Sequence, residues 1–308
     1  MQTLPKAAAT VIGQRRFGGQ SMVGHLKSVI VRPPVPAMTG EEWKAFGYPN
    51  PVDQTLSEQE HAAFRAILAD AEAEVIEAAP GSPGLLDAIF GFDPSIVTDA
   101  GAILLRLGKP ERLVETDLAE QTYAELNVPI LGRIEPPGTV EGGDTLWLDE
   151  RTLAVGRGYR TNDAGIAQLA TILSAIGVTV IPVALPHWRG PGECLHLMSL
   201  ISPVAADLAV VYLPLLETAF VEEIQRRSWR LVEVPNQEFD SLGCNVLALA
   251  PKRCLMCDGN PTTRSRLEAA GCEVGVYQGR EISLNRAGGP TCLTRPLWRA
   301  TDECPEDR

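Results

Sequence analysis

The feature that most constrains this 308-residue chain is a recurrence: an apolar strand pattern is followed by a helical pattern rich in Ala, Glu and Leu, five times over. "HLKSVIVR" (25–32) precedes "SEQEHAAFRAILADAEAEVIEA" (57–78), and "AILLRL" precedes "RLVETDLAEQTYAEL" (112–126). "TLAVGRG" precedes "AGIAQLATILSAIG" (164–177), and "DLAVVYLPLL" precedes "AFVEEIQRRS" (219–228). "NVLALAPKRCLMC" precedes "TTRSRLEAAG" (262–271). Short strands such as "VTVIPVAL", "WRLVEVP" and "CEVGVYQ" follow the helices. Units of this kind, spaced by roughly 50–65 residues, suggest radial repetition around a shared core. The fold expected is α/β, a five-bladed pseudo-symmetric α/β propeller; a plain α/β sandwich without symmetry is the alternative. Residues 1–20 lack periodicity and are expected to form a flexible arm, leaving 21–308 as a single domain.

Composition narrows the partners. The formal net charge of −12 opposes nucleic acid and anionic membrane, both of which attract Lys/Arg-rich faces. The most apolar stretch, "AADLAVVYLPLL" (205–216), carries Asp207 and Pro214 and is too short to span a bilayer. No apolar h-region follows the N-terminus, and seven scattered cysteines do not resemble a disulfide framework. A reduced, cytoplasmic protein is expected.

Chemistry is expected in the irregular joints between units, because loops on a rigid scaffold carry function. These joints are "FDPSIVTDAG" (92–101), "LGKPER" (107–112), "IEPPGTVEGGDTLWL" (134–148), "GRGYRTN" (156–162) and "GECLHLMS" (192–199). In "NRAGGPTCLTRPLW" (285–298), Gly288 and Gly289 remove side chains that would block close approach to Cys292. A reactive thiol and an ordinary hairpin both fit that stretch. Of four histidines, His196 lies in an apolar run, either as a core residue or as a catalyst. "EGGD" (141–144) is either a turn or the presenter of a carboxylate that orients a histidine. "CLMC" (254–257) is a lone CxxC without the second pair a zinc site needs, and no metal is expected.

Four of these segments, in order, resemble the guanidine-modifying amidinotransferase/arginine deiminase superfamily, most nearly the bacterial dimethylarginine dimethylaminohydrolases. They are "IEPPGTVEGGD", "RTNDAG", "LHLMS" and "GGPTC", and the likeness runs from about residue 25 to residue 298. The resemblance implies the pentein fold, a five-bladed α/β propeller, and a cysteine-dependent hydrolase that needs no cofactor. It implies that Cys292 is the nucleophile, that His196 is the acid and base, and that Glu141 orients the imidazole. It further implies that Asp99 receives the guanidinium, that Asp93 helps bind the substrate's polar end, and that Arg112 and Arg160 hold its carboxylate. Met198 stands where deiminases and amidinotransferases of the superfamily carry an aspartate, which tilts the expectation towards an N-substituted arginine yielding citrulline and an amine. Deimination, dihydrolysis, amidino transfer and a non-catalytic guanidine-binding protein are the alternatives. The partner expected is a small guanidine compound, with a homodimer allowed for.

Overall fold

In the computed structural model, residues 17–300 are described. They form five three-stranded sheets, each built to one plan. An inner strand pairs antiparallel with a middle strand, and a helical crossover returns the chain parallel to the middle strand as the outer one. The second sheet holds β3 (Ser95–Thr98), β4 (Gly101–Leu104) and β5 (Ile130–Arg133), crossed by α3 (Glu115–Glu125). The third holds β6 (Thr145–Asp149), β7 (Thr152–Arg157) and β8 (Thr179–Ala184), crossed by α4 (Asp163–Ser174). β9 (Ile201–Ala205), β10 (Leu208–Val211), β11 (Arg230–Glu233) and α5 (Thr218–Arg226) make the fourth. β12 (Val246–Ala250), β13 (Arg253–Cys257), β14 (Glu273–Tyr277) and α6 (Pro261–Ala269) make the fifth.

The first sheet closes the ring. Its inner strand is β15 (Arg295–Ala300), which pairs antiparallel with β1 (His25–Val31); β1 in turn pairs parallel with β2 (Glu74–Glu77) across α1 (Glu42–Phe46) and α2 (Gln54–Asp70). This is the pentein fold, a five-bladed propeller. The inner strands β3, β9 and β12 are buried at every position, as strands covered on both faces must be. Local chemistry agrees with the plan. Asp53 caps α2 by accepting from the Leu56 N–H at 2.9 Å, and Asn162 caps α4 by accepting from Gly165 at 2.8 Å.

Three sequence expectations change. The helix expected over 57–78 ends at Asp70, and residues 74–77 are β2. The joints at 92–101 and 134–148 contain the inner strands β3 and β6, so each unit has three strands. Residues 1–16 of the expected arm lie outside the described residues, but its end is not loose. The Gly18 N–H donates to Leu297 O at 2.9 Å, and Gly18 O accepts from Arg299 N at 2.8 Å. No helix among the described residues is long and apolar enough to cross a membrane.

Candidate active site

The ring presents a cleft of about 330 Å³ where loops from several blades meet. Cys292, His196, Asp93, Arg112 and Arg160 all line it. Cys292 stands just before β15, and its Sγ accepts from Asn245 Nδ2 at 3.3 Å. Asn245 also fixes the turn, since its Oδ1 accepts from Thr291 N at 3.1 Å. This is why the turn needs glycine: a Cβ on Gly289 would lie 2.4 Å from Asn245 Cγ.

Across the cleft, Glu141 and His196 form a buried pair, with Nε2 and Oε2 2.7 Å apart. Glu141 is wholly buried and its Oε1 accepts from Gly108 N at 2.9 Å and Lys109 N at 3.3 Å. Arg160 Nη1 donates to both of its oxygens at 3.3 Å. The turn after Glu141 is held open for the imidazole, because a Cβ on Gly143 would lie 2.2 Å from His196 Nδ1. "EGGD" is therefore a short 3₁₀ turn that presents its acid.

Electrostatics sets the protonation states. Burial alone would raise the Glu141 carboxyl, but its hydrogen bond to His196 and the Arg160 charge hold it well below the usual range. Burial alone would lower His196, but Cys194, Asp144 and Asp93 push it well above the ordinary histidine value. The pair is thus an imidazolium and a carboxylate. Burial, then the Asp93 charge, pushes the Cys292 thiol up to about 11, against the opposite pull of His196 and Asn245. In the free protein Cys292 is a thiol.

Two expected site residues are elsewhere. Asp99 is exposed in the β3–β4 hairpin, where its N–H donates to Gln20 Oε1 at 2.9 Å, and it does not line the cleft. The acid that lines the cleft beside Cys292 and His196 is Asp93, which accepts from Gly143 N at 2.9 Å and from Arg112 Nη1 at 2.7 Å. Met198 is buried in the core with Phe92, Leu197 and Ile201 and presents no wall to the cleft. Arg112 lines the cleft but spends its donors on Asp93 and on Glu115, at 2.9 and 2.7 Å. It anchors Asp93, and Arg160 is the freer cation.

Sequence reasoning missed Asn245, Asp87 and Lys109. Asp87 accepts from Tyr48 Oη at 2.6 Å and Lys109 Nζ at 2.9 Å at the cleft wall. Asp87 is an ordinary charged residue outside every joint, Lys109 lies in the 107–112 joint, where the resemblance points only to Arg112, and Asn245 is a polar residue directly before an apolar strand. Cys254 and Cys257 enter different core clusters, as residues three apart on a strand must. Glu141, Cys194 and His196 bring ligand atoms within 4.8 Å of one another, a set able to touch a metal. Arg160 already supplies the positive charge beside Glu141, which opposes a cation there.

The closed ring and this cleft are those of a guanidine-modifying enzyme. The arginine deiminase family model matches residues 84–229 and 213–299, and the chain belongs to that family. It is a hydrolase acting on C–N bonds in amidines, within the pentein superfamily and near the dimethylarginine dimethylaminohydrolases. The N(G),N(G)-dimethylarginine dimethylaminohydrolase of Pseudomonas aeruginosa is 27% identical over 276 residues, 87% of this chain and 98% of that one. An arginine deiminase of Listeria welshimeri is 29% identical, over 68% of this chain and 61% of its own length. Among solved structures, the Pseudomonas enzyme complexed with citrulline superposes with a TM-score of 0.72 at 24% identity, covering 88% of this chain and 98% of that chain. The N-terminal domain of a cyanobacterial arginine dihydrolase superposes at 0.75 and 19% identity, over 88% and 97% of the two chains.

Proposed function

We propose that the protein hydrolyses the guanidino group of arginine or an N-substituted arginine, giving citrulline and an amine through a covalent intermediate on Cys292. The observation that carries this is that Asp93 lines one cleft together with Cys292 and His196. A planar cation received there lies between nucleophile and acid. Each Asp93 oxygen keeps a lone pair for a guanidinium N–H, because each accepts a single bond from the protein.

The guanidinium charge offsets Asp93 and stabilises the thiolate; the thiol's proton leaves to solvent, His196 being already protonated, and the sulfur forms a bond to the guanidinium carbon. The His196 imidazolium gives its proton to the departing nitrogen as the C–N bond breaks, leaving a thiouronium and a neutral imidazole. That imidazole removes a proton from water and hydroxide adds to the carbon; the C–S bond breaks, the added hydroxyl's proton passes to the departing thiolate, and the ureido product and the resting thiol form. Glu141 stabilises the imidazolium at each end of the cycle. Arg160 is the cation for the substrate's α-carboxylate. No metal or organic cofactor enters these steps.

With Met198 in the core, the preference for a substituted nitrogen rests on the likeness to dimethylarginine dimethylaminohydrolases. The match to the arginine deiminase model favours a second reading, in which ammonia leaves. Product assays on arginine, mono- and dimethylarginine and agmatine, with Cys292→Ser as control, decide between them. Alkylamine release at the higher kcat/KM supports the first reading, ammonia release from arginine supports the second, and turnover by Cys292→Ser refutes both.

A further inference from the structure

The five inner strands converge on the ring axis around a second cavity of about 20 Å³, separate from the catalytic cleft. Ile96 of β3, Trp147 of β6, Pro203 of β9 and Leu247 of β12 give it largely apolar walls. The fifth strand breaks the pattern. β15 contributes Arg295 and Arg299, which are 7% and 6% exposed.

Neither arginine has a carboxylate within ion-pair distance among the described residues. Arg295 Nη2 donates to the Phe92 carbonyl, its guanidinium carbon lies 3.8 Å from the Phe92 ring centroid, and its Nε has no partner. Arg299 Nη1 donates to Gly24 O at 2.7 Å. Thr291 Oγ1, also at the cavity, is buried without a partner. Burial lowers Arg295 to about 10 in spite of Asp93, which acts on it from beyond ion-pair distance, and burial with the neighbouring Arg295 charge lowers Arg299, on which no acid acts, to about 9.

Two like charges buried side by side are unfavourable unless a counter-charge meets them, and the distant Asp93 acts on only one of the two. Arginine holds its proton, so neutralisation is no exit. A water in the cavity satisfies hydrogen bonds without offsetting charge. A cavity of this size takes one body of about a water's dimensions, which excludes phosphate, sulfate and any amino-acid carboxylate.

We infer that the axial cavity is a binding site for a single monatomic anion, chloride, held by Arg295, Arg299 and the Thr291 hydroxyl. The ion completes the inner ring where β15 closes it. This inference is independent of the catalytic assignment.

Two measurements on the full chain test it without reference to activity. Crystals grown in sodium bromide should give an anomalous peak between the two guanidinium groups. Thermal unfolding should give a Tm higher by several degrees in sodium chloride than in sodium gluconate of equal ionic strength, saturating with concentration as a bound ligand does. Arg299→Met should abolish the difference between the two salts; if that variant does not fold, the bromide map alone decides. A featureless map in the cavity, equal Tm values in the two salts, or a chloride effect that persists in Arg299→Met overturns the inference.

Discussion

Removing the charge at Asp93 separates two effects that act on the Cys292 thiol. In the free protein the thiol sits at about 11, with burial and Asp93 both opposing the thiolate. At pH 7 that leaves about one thiol in ten thousand ionised. A guanidinium docked about 4 Å from the sulfur is worth about 4 kcal/mol at an effective dielectric of about 20, or about three pKa units. Ligand binding should therefore move the thiol towards about 8, where a useful fraction ionises near neutrality. Asp93→Asn should lower the free-protein value, because a repulsive charge is gone, and should also abolish the ligand-induced shift, because the guanidinium loses its acceptor. The assay is thiolate absorbance followed through a pH titration, as the difference between wild type and Cys292→Ser, with and without millimolar guanidinium ion. A wild-type thiol that titrates near neutrality unaided, or a ligand shift that survives in Asp93→Asn, would refute the argument.

Asn245→Ala removes a hydrogen bond to sulfur worth about 1.5–3 kcal/mol to the charged form. It should slow iodoacetamide labelling of Cys292 by about 10- to 100-fold at fixed pH, with far-ultraviolet circular dichroism unchanged. Glu141→Gln leaves a buried imidazolium without its counter-charge, so denaturant unfolding should register a loss of about 3–5 kcal/mol alongside lost turnover. Arg160→Ala should raise KM for arginine more than for agmatine, which lacks the carboxylate; equal losses on both would mean that it acts through Glu141. His61 is buried and burial lowers it to about 4, so the folded state binds fewer protons than the unfolded state between that value and 6.5. Its contribution of about 3 kcal/mol is present above pH 6.5 and lost as pH falls towards 4, and His61→Leu should flatten the stability profile in that window.

The recurrence read from the sequence is the ring itself, because periodic burial writes itself into the order of apolar residues. Cys292, Glu141 and His196 were legible only through the likeness of their short segments to a known family, each segment alone fitting an ordinary turn or core; the structure brings Cys292 and His196 to one cleft and pairs His196 with Glu141. Asp93 and Asp99 show where the signal stopped. They flank the single inner strand β3, whose four extended residues put about 13 Å between its ends. Nothing in a linear pattern says which end of a strand faces the cleft. Met198 fails in the same way, since in a 3₁₀ turn one residue's shift decides between cleft and core. The axial arginines were hidden because β15 reads as any apolar strand with two charges on it.

The closure of the first sheet has a consequence for when the molecule becomes an enzyme. In the other four sheets the antiparallel pair is a hairpin, as between β12 and β13, where two residues make the link. The pairing of β1 with β15 joins segments from opposite ends of the described chain, so the chain-entropy cost of assembly concentrates at this seam. Cys292, the proposed nucleophile, lies just ahead of β15, on the late side of the seam, while His196 and Glu141 belong to blades complete without it. Turnover therefore reports on the seam and not on the blades. A variant that loosens the register between Ile30 and Arg295 should keep nearly all its helix and strand signal, keep its imidazolium pair, and yet be inert, because the sulfur is the last atom to arrive.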